Sequence, residues 1–399
     1  MKERYRLLGD FIRQVDVRNT DGKEENLLGV SVQKMFIPSI ANTVGTDFTK
    51  YKVVKRGQFT YIPDTSRRGD KIGIALLTDY DEGLVSNIYT VFEVKDENEL
   101  LPEYLMLWFS RPEFDRYARF KSHGSVREIM DWDEMCKVEL PVPSIDKQRS
   151  IVKAYQTITE RIDLKRRIND NLEKTIKAVF KSWFLDFDAF DGVELVQSQY
   201  GLIPNGWHYE LLGNLCDCVT KGTTPTTLGK DFTDTGINFI KGESINDDHS
   251  FNKTLFAHID DKTDELLKRS RIYVNDIVFT IAGTLGKFAL VDSSVVPANT
   301  NQAVAIIRTS KIMPAMLYSY FIGEWQVEFY KRNTQQAVQA NLSLGTIKDL
   351  PILLPDSKGQ DRYMQLVTPL IVGMQNNFSE IERLYELQNQ LLARLSSSR

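Results

Sequence analysis

Residues 164–190 read LKRRINDNLEKTIKAVFKSWFLDFDAF, and this stretch decides how the chain is organised. Its isoleucines, leucines and aromatic residues recur at helical spacing, and the pattern runs back to Ile151 without Pro or Gly. It therefore predicts one helix over most of residues 146 to 187. At about 1.5 Å per residue such a helix is roughly 60 Å long. A rod of that length needs a partner along its whole length.

Steps of four and three residues from Ile151 define a heptad seam, apolar at eight of its ten positions. The positions of this seam are Ile151, Tyr155, Ile158, Ile162, Lys165, Asn169, Leu172, Ile176, Val179 and Trp183. A second seam near the end of the sequence is apolar at seven of nine positions. Its positions are Val367, Leu370, Met374, Asn377, Ile381, Leu384, Gln388, Leu391 and Leu395. The two helices most simply pack against each other through these seams.

The polar residues within the seams predict a fixed register for this pairing, at some cost in stability. They are Lys165 and Asn169 in the first helix, with Asn377 and Gln388 in the second. Pro369 departs from the helical pattern, so we expect it to kink the second helix or to end its first turns.

The chain also repeats itself at a spacing near 210 residues. REIMDWDEMCKVELPVP from Arg127 corresponds to NLSLGTIKDLPILLP from Asn341, and each leads into one of the long helices. LPEYLMLWFSRPEF from Leu101 corresponds to MPAMLYSYFIGEWQ from Met313, each with Pro near the start of an apolar helix. RGQFTYIP from Arg56 and NDIVFTIAG from Asn275 both predict short strands.

The predicted fold class is therefore mixed α/β, with two α/β domains in a pseudo-twofold tandem repeat. Two long helices, packed as an antiparallel coiled coil, separate them. The predicted boundaries are a first domain over 1–143, a central helix over 144–187, a linker over 188–206, a second domain over 207–355 and a distal helix over 356–399.

Composition narrows the class of protein. A length of 399 residues with ordinary apolar content predicts two or three soluble domains. No run of about 18 apolar residues exists to span a bilayer, and the start MKERYRLLGDF lacks a signal-peptide core, so we expect a cytoplasmic protein. The three cysteines are sparse and are expected to be reduced. The formal charge is −4, yet residues 141–187 carry 10 basic against 6 acidic groups, a net of +4.

Motifs for catalysis by this chain are missing from the sequence. Gly283-Thr-Leu-Gly-Lys287 is too short for a phosphate-binding P-loop, and no G-x-G-x-x-G follows a strand. The four histidines show no zinc-ligand spacing, and an Asn-Pro-Pro-aromatic methyltransferase motif is absent. We therefore expect a non-catalytic protein with no metal site.

Several motifs together resemble the DNA-specificity (S) subunit of bacterial type I restriction-modification enzymes, over essentially the full length. INDNLEKTIKAVFKSWFLDFDAF is similar to the central conserved region of that family, and GLIPNGW introduces the second half. The motifs that resemble the second target recognition domain are TKGTTPTT, INFIKGESI, GTLGKFALV and NQAVAIIR.

The resemblance implies two target recognition domains, each reading one half of an asymmetric bipartite site on double-stranded DNA. It implies that the paired helices set the distance between the half-sites and dock two methyltransferase subunits. The partners would bring S-adenosylmethionine, and restriction or translocase subunits would bring ATP and Mg, so this chain needs no cofactor itself.

Residue types that commonly contact phosphates and bases indicate which loops bind DNA. In the first domain these are Lys34, Arg67, Arg68, Lys71, Lys121, Ser122, His123, Ser125 and Arg127. In the second they are Lys221, Thr223, Thr224, Lys241, Thr284, Lys287, Gln335, Gln336 and Gln339. Each single residue has the alternative of a solvated loop position, so the hypothesis concerns the set.

The residues predicted to dock partner subunits lie on the two helices and at the end of the first. They are Ile168, Leu172, Ile176, Phe180, Trp183, Phe184, Phe187, Ile381, Leu384 and Leu391. For Trp183, Phe184 and Phe187 the sequence leaves two alternatives open, packing against the domains or against the methyltransferase subunits.

Two other functions are alternatives to a DNA-specificity subunit. One is a methyltransferase or nuclease with a divergent motif, which would transfer methyl groups as a single purified chain. The other is a scaffold that binds proteins and shows only weak, salt-dependent DNA association. Neither explains two diverged domains on a repeated helical spacer.

Overall fold

The computed structural model describes residues 5–39, 45–64, 71–122, 128–190, 192–325, 327 and 342–395. It divides into two compact units. The first unit comprises Met1–Ile162 and Glu382–Arg399, and the second comprises Asp163–Ile381. Two helices of 40 and 38 residues, Ile145–Phe184 and Ser357–Arg394, each contribute residues to both units.

The first unit contains ten strands among its described residues. They are β1 (Tyr5–Leu7), β2 (Ile12–Val15), β3 (Leu27–Val30), β4 (Phe36–Pro38), β5 (Lys52–Lys55), β6 (Phe59–Ile62), β7 (Gly73–Leu76), β8 (Glu82–Val85), β9 (Thr90–Val94) and β10 (Glu139–Pro141). Its helices are α1 (Pro102–Phe109), α2 (Pro112–Lys121), α3 (Trp132–Cys136) and the beginning of α4 (Ile145–Phe184), with 3-10 turns at Leu8–Asp10 and Phe48–Lys50.

The second unit contains eleven described strands. They are β11 (Leu195–Ser198), β12 (Gly201–Pro204), β13 (His208–Leu211), β14 (Cys216–Lys221), β15 (Ile237–Ile240), β16 (Ala257–Ile259), β17 (Ile277–Thr280), β18 (Phe288–Leu290), β19 (Ala298–Thr300), β20 (Val304–Thr309) and β21 (Pro351–Leu354). The further helices are α5 (Leu212–Leu215), α6 (Asp261–Leu266), α7 (Pro314–Ile322), α8 (Leu344–Lys348) and α9 (Ser357–Arg394), with 3-10 turns at Pro225–Leu228, Gly242–Ser244, Lys253–Leu255 and Lys268–Ser270.

The two units share one topology. A four-stranded sheet in the order β2-β9-β6-β7 corresponds to β14-β20-β17-β18. A second sheet, β4-β3-β8-β5, corresponds in its first three strands to β16-β15-β19, and both contain one parallel pair, β3 with β8 and β15 with β19. The sequence repeat is thus a repeat of topology, in the mixed α/β class that was predicted.

Local sequence explains the matching helices. Each of α1 and α7 begins with Pro at its first helical position, after a residue with an extended backbone. The fixed φ of Pro suits this position, where its missing N–H is not needed. Tyr104 of α1 and Tyr320 of α7 are both buried, each with its hydroxyl on a carbonyl of the strand that precedes a long helix. The two helices therefore lie in the cores of their units.

In the second unit α4 and α9 run in opposite directions. Nζ of Lys165 lies 2.9 Å from the Glu380 carboxylate, and the Asn169 amide donates to the Met374 carbonyl at 3.3 Å. In the first unit the Gln388 amide donates to the Thr159 hydroxyl at 2.7 Å. Higher numbers on one helix thus meet lower numbers on the other in the second unit.

Two local features add detail to the sequence predictions. Pro369 does not end the first turns of α9, because the helix begins at Ser357 and continues through it. The stretch predicted as a linker over 188–206 contains the hairpin of β11 and β12, in which Val196 lies opposite Ile203. Ile203 is buried and Val196 packs on the same core, which explains why this stretch adopts strand structure.

Candidate nucleic-acid interface

Tight backbone contacts bring the predicted loops of the second unit together. The loop that follows β14 reaches the loop that precedes β20, where the Gly222 N–H donates to the Asn301 carbonyl at 3.0 Å. A Cβ at position 222 would overlap the Thr300 carbonyl group, so only glycine allows this approach. Thr223 and Thr224 follow at once and are half-buried.

The same cluster extends to the loop that contains Lys241. The Thr300 hydroxyl donates to the Ile240 carbonyl at 2.7 Å, which ties the ends of β19 and β15 together. A Cβ at Gly242 would lie 4.0 Å from the Thr284 hydroxyl oxygen, so this loop adjoins the turn between β17 and β18. Four loops that are far apart in sequence therefore lie next to one another.

The turn between β17 and β18 is held by the buried side chain of Thr280. Its hydroxyl accepts from the Lys287 N–H at 2.8 Å and donates to the Thr284 carbonyl. Gly283 and Gly286 adopt the positive φ values that the turn requires. The side chain of Thr284 is consequently exposed on an ordered turn, as a base-contacting group must be.

The three predicted lysines of this unit differ in their surroundings. Lys221 is exposed and forms no ion pair with any described residue. Lys241 lies over the Phe232 ring at 4.9 Å and is 3.9 Å from the Glu243 carboxylate. Lys287 pairs with Asp247 at 2.9 Å. Lys221 is thus the most accessible cation for a phosphate.

Gln302 is an interface candidate that was not selected from the sequence. It is exposed, and its amide oxygen accepts a hydrogen bond from the Thr224 hydroxyl. The available signal was its place in NQAVAIIR, directly before β20. In the first unit the equivalent connection, from β8 to β9, carries Asn87 and the exposed Ile88.

In the first unit the residues that precede one predicted DNA-binding segment lie beside the residues that follow the other. The Met130 N–H donates to the Pro63 carbonyl at 3.0 Å, and Asp64 forms a β-bridge with Ile129. In the second unit the Leu342 N–H donates to the Ile281 carbonyl at 2.9 Å in the equivalent place. The predicted residues Arg67, Arg68, His123, Ser125, Arg127, Gln335, Gln336 and Gln339 lie outside the described residues.

Lys34 is engaged inside the first unit. Its Nζ donates to the Asp115 carboxylate at 2.6 Å and to the Ile72 carbonyl at 2.7 Å, and its side chain is 9% exposed. Burial lowers the pKa of Lys34, while Asp115 opposes that shift. We therefore leave Lys34 out of the proposed interface.

The other described candidates of the first unit lie around α2. Lys121 is 3.7 Å from the Glu134 carboxylate and 5.9 Å from the Tyr117 ring centroid. The Ser122 hydroxyl donates to the Ala118 carbonyl at 2.6 Å, which occupies it at the end of α2. Lys71 is exposed and has no ion pair with the described part of the chain, so it is the strongest candidate here.

Half of the ten residues predicted to dock partner subunits are buried. Ile176, Phe180, Trp183 and Phe184 are at most 4% exposed in the core of the second unit. Ile381 is buried, and Leu172, Phe187, Leu384 and Leu391 are half-buried. Only Ile168 is exposed, at 36%. Of the two alternatives for Trp183 and Phe184, packing on the domain is the one seen.

The described residues contain no group of three His, Cys, Asp or Glu side chains arranged to hold a metal ion. Burial raises the pKa of the Cys216 thiol to about 12, which makes a poor nucleophile. Among the described helices, none is long and apolar enough to cross a membrane.

A family model for the type I restriction modification DNA specificity domain matches residues 12–174 and 204–383. The two matches coincide with the two copies of the repeated topology and cover most of the chain. The chain belongs to this family. The specificity domain of this family is thus present twice in the chain, once in each unit.

Similar proteins of this specificity family cover between 74% and 98% of this chain. The type I restriction enzyme HindI specificity subunit of Haemophilus influenzae is 23% identical to this chain, and the match covers 97% of each of the two chains. The MjaIX specificity subunit of Methanocaldococcus jannaschii is 24% identical over 74% of this chain and 68% of that one. The crystal structure of a type I restriction-modification system S subunit from M. genitalium shares the fold, with 12% identity, 98% and 95% coverage and a TM-score of 0.54.

Proposed function

We propose that this chain is the non-catalytic specificity subunit of a type I restriction-modification complex, in which each specificity domain reads one half of an asymmetric bipartite DNA site. The observation that carries the proposal is one topology present twice with different loops at the same end of the sheets. Because the loop sequences differ, the two half-sites differ.

The loop cluster of the second unit has the chemistry for such a role. Thr284 and Gln302 offer hydrogen-bonding groups on ordered turns, and amides of Gln are suited to adenine edges. Lys221 offers a cation without a competing carboxylate, which suits a phosphate. In the first domain Lys71, which is exposed, takes the corresponding phosphate role.

The two long helices act, in this proposal, as an antiparallel coiled coil that fixes the distance between the half-sites. The hydrogen bonds at Asn169 and at Thr159 support it, since each joins α4 to α9 within one unit. Polar groups inside a helical seam fix register, because a shifted pairing leaves them without partners.

Methyltransferase subunits dock on the outer faces of these helices and bring S-adenosylmethionine, while restriction subunits bring ATP and Mg. The support is a set of exposed apolar side chains on the two helices within the second unit, namely Leu164, Ile168, Leu366 and Val372. A docked subunit would remove this apolar area from water.

The proposal is tested by mapping DNA methylation, through long-read sequencing, in cells that express this chain with its methyltransferase subunit. We expect methyladenine in both halves of a new split motif. A variant with Thr284→Ala and Gln302→Ala should relax one half and leave the other half and the spacing unchanged. Unchanged motifs with the variant, or no motif with an intact complex, would contradict the proposal.

A further inference from the structure

A cleft of about 510 Å³ opens in the first unit between the sheet, α1 and the early turns of α4. Met35 follows β3, Leu76 ends β7, Met106 belongs to α1, and Val152 and Tyr155 belong to α4; all five line the cleft. Met35 is 51% exposed, and Leu76, Met106 and Tyr155 are half-buried. The described residues of this unit therefore leave an apolar recess uncovered at this place.

The equivalent place in the second unit is filled. The connection from β15 to β16 spans residues 241–256, whereas that from β3 to β4 spans 31–35. His249 of the longer connection stacks on Phe288 of β18, with ring centroids 4.0 Å apart, and lies near Tyr318 of α7 at 6.3 Å. Tyr318 occupies the position in α7 that Met106 occupies in α1.

His249 fills this place in the second unit and is called the internal plug. Its chemistry indicates what kind of side chain fits the open cleft of the first unit. His249 presents a flat ring to an aromatic floor, and its Nε2 faces the Glu173 carboxylate of α4 at 3.9 Å. The plug thus combines an aromatic contact with an imidazole nitrogen directed at an acidic residue.

The open cleft has a matching charge pattern. Asp79, Glu103 and Glu160 line its rim, and none of them forms an ion pair with a described residue. Three carboxylates around an apolar floor attract Lys or Arg of a partner. They disfavour a DNA backbone, because phosphates carry the same sign of charge.

We infer that the open cleft of the first unit receives an apolar or aromatic side chain flanked by Lys or Arg from a docked methyltransferase subunit. The inference rests on the proposed function. The second unit supplies its own plug, so the two methyltransferase subunits are held unequally, and only one of them inserts a side chain.

The test reverses the rim charges with Asp79→Lys, Glu103→Lys and Glu160→Lys in the full-length chain. The matched control, with Glu24→Lys, Glu25→Lys and Glu97→Lys, makes the same charge change at exposed carboxylates of the same unit away from the cleft lining. A second variant, Met35→Glu, places a carboxylate in the floor at an exposed position. Circular dichroism on each purified chain verifies folding.

Purified methyltransferase subunit is titrated into each chain, and the bound number is read by native mass spectrometry. We expect two bound subunits for wild type and control. Both cleft variants should lose one of the two, with at least tenfold weaker binding. Equal binding by all chains overturns the cleft inference alone, as does a change in DNA affinity in the cleft variants that exceeds the control. Failure of the wild-type chain to bind any methyltransferase overturns the proposed function as well.

Discussion

The side-chain amide of Asn377 donates a hydrogen bond to the amide oxygen of Asn169 over 2.7 Å. Both residues are buried, at 7% and 5% exposure. Lys165 donates to the Asn377 oxygen at 3.0 Å, and the Asn169 amide donates to the Met374 carbonyl at 3.3 Å. Both helices contribute hydrogen-bond partners to this polar layer. Substitutions of Asn169 and Asn377 should therefore have coupled effects on the free energy of unfolding.

Replacing Asn169 with Ala should lower the free energy of unfolding by about 1–3 kcal/mol, because the Asn377 amide then lacks its buried acceptor. The double variant Asn169→Leu with Asn377→Leu should cost less than the sum of its single variants, with a coupling of at least about 0.5 kcal/mol. Urea denaturation measures both. The exposed Asn171→Ala variant is the control and should stay within about 0.5 kcal/mol of wild type. Additive single effects would contradict a coupled layer.

Gly323→Ala should destabilise the second unit by about 1–3 kcal/mol through overpacking. Gly323 follows α7, and a Cβ there would overlap the ring of Phe180 in the buried aromatic cluster. Gly345→Ala is the matched control, since the nearest atom to its Cβ would be the Ser343 hydroxyl oxygen at 3.4 Å. Thermal melts of both variants decide the matter, and equal melting temperatures would refute the packing argument.

Lys221→Ala should weaken binding of every DNA sequence about equally and should lower the slope of log K against log salt by about 1. The reason is that a phosphate contact carries no sequence information. The measurement is fluorescence anisotropy of the assembled complex on cognate and non-cognate duplexes at several salt concentrations. Lys262→Ala, at an exposed position of α6, is the control and should leave the slope unchanged. A loss confined to the cognate duplex would assign Lys221 to base readout instead.

The His249 side chain should make the chain less stable in mild acid. Burial is the main cause that lowers the pKa of His249, and Glu173 opposes it. The unfolded state then takes up a proton below about pH 6.5 that the folded state does not, so stability falls as pH falls through that range, by at most about 1.4 kcal/mol per pH unit. His249→Phe keeps a ring on Phe288 and should remove this part of the pH dependence. Urea denaturation at pH 7.5 and 5.5 compares the two chains, and an identical pH dependence would contradict the assignment.

The regular features of this molecule could be predicted because they are local. The heptad pattern places Ile158, Ile162 and Ile176 in the seam, and all three are buried. Helical periodicity reports which face is buried without any knowledge of the partner. The matching of Pro102 with Pro314 likewise needs only the sequence, since Pro is favoured at the first helical position.

The features that could not be predicted depend on contacts between distant segments. Lys34 was expected at the DNA, yet it pairs with Asp115, which is 81 residues away in sequence. Nothing local distinguishes such a lysine from a solvated one. The contact of Thr224 with Gln302 and the insertion of His249 beside Glu173 likewise require strands to pair first. The predicted residues that read bases are partly outside the described structure, so those assignments stay predictions.

The pairing of the first and last strand of each domain has a further consequence. Tyr5 of β1 lies opposite Pro141 of β10, and His208 of β13 lies opposite Leu354 of β21. The chain therefore enters and leaves each recognition domain at neighbouring points. Everything between those points behaves as an exchangeable cassette, whose loops can lengthen, shorten or be replaced without changing where the long helices begin. Under the proposed function, new sequence preferences can thus evolve in one domain while the spacer and the other preference are inherited intact.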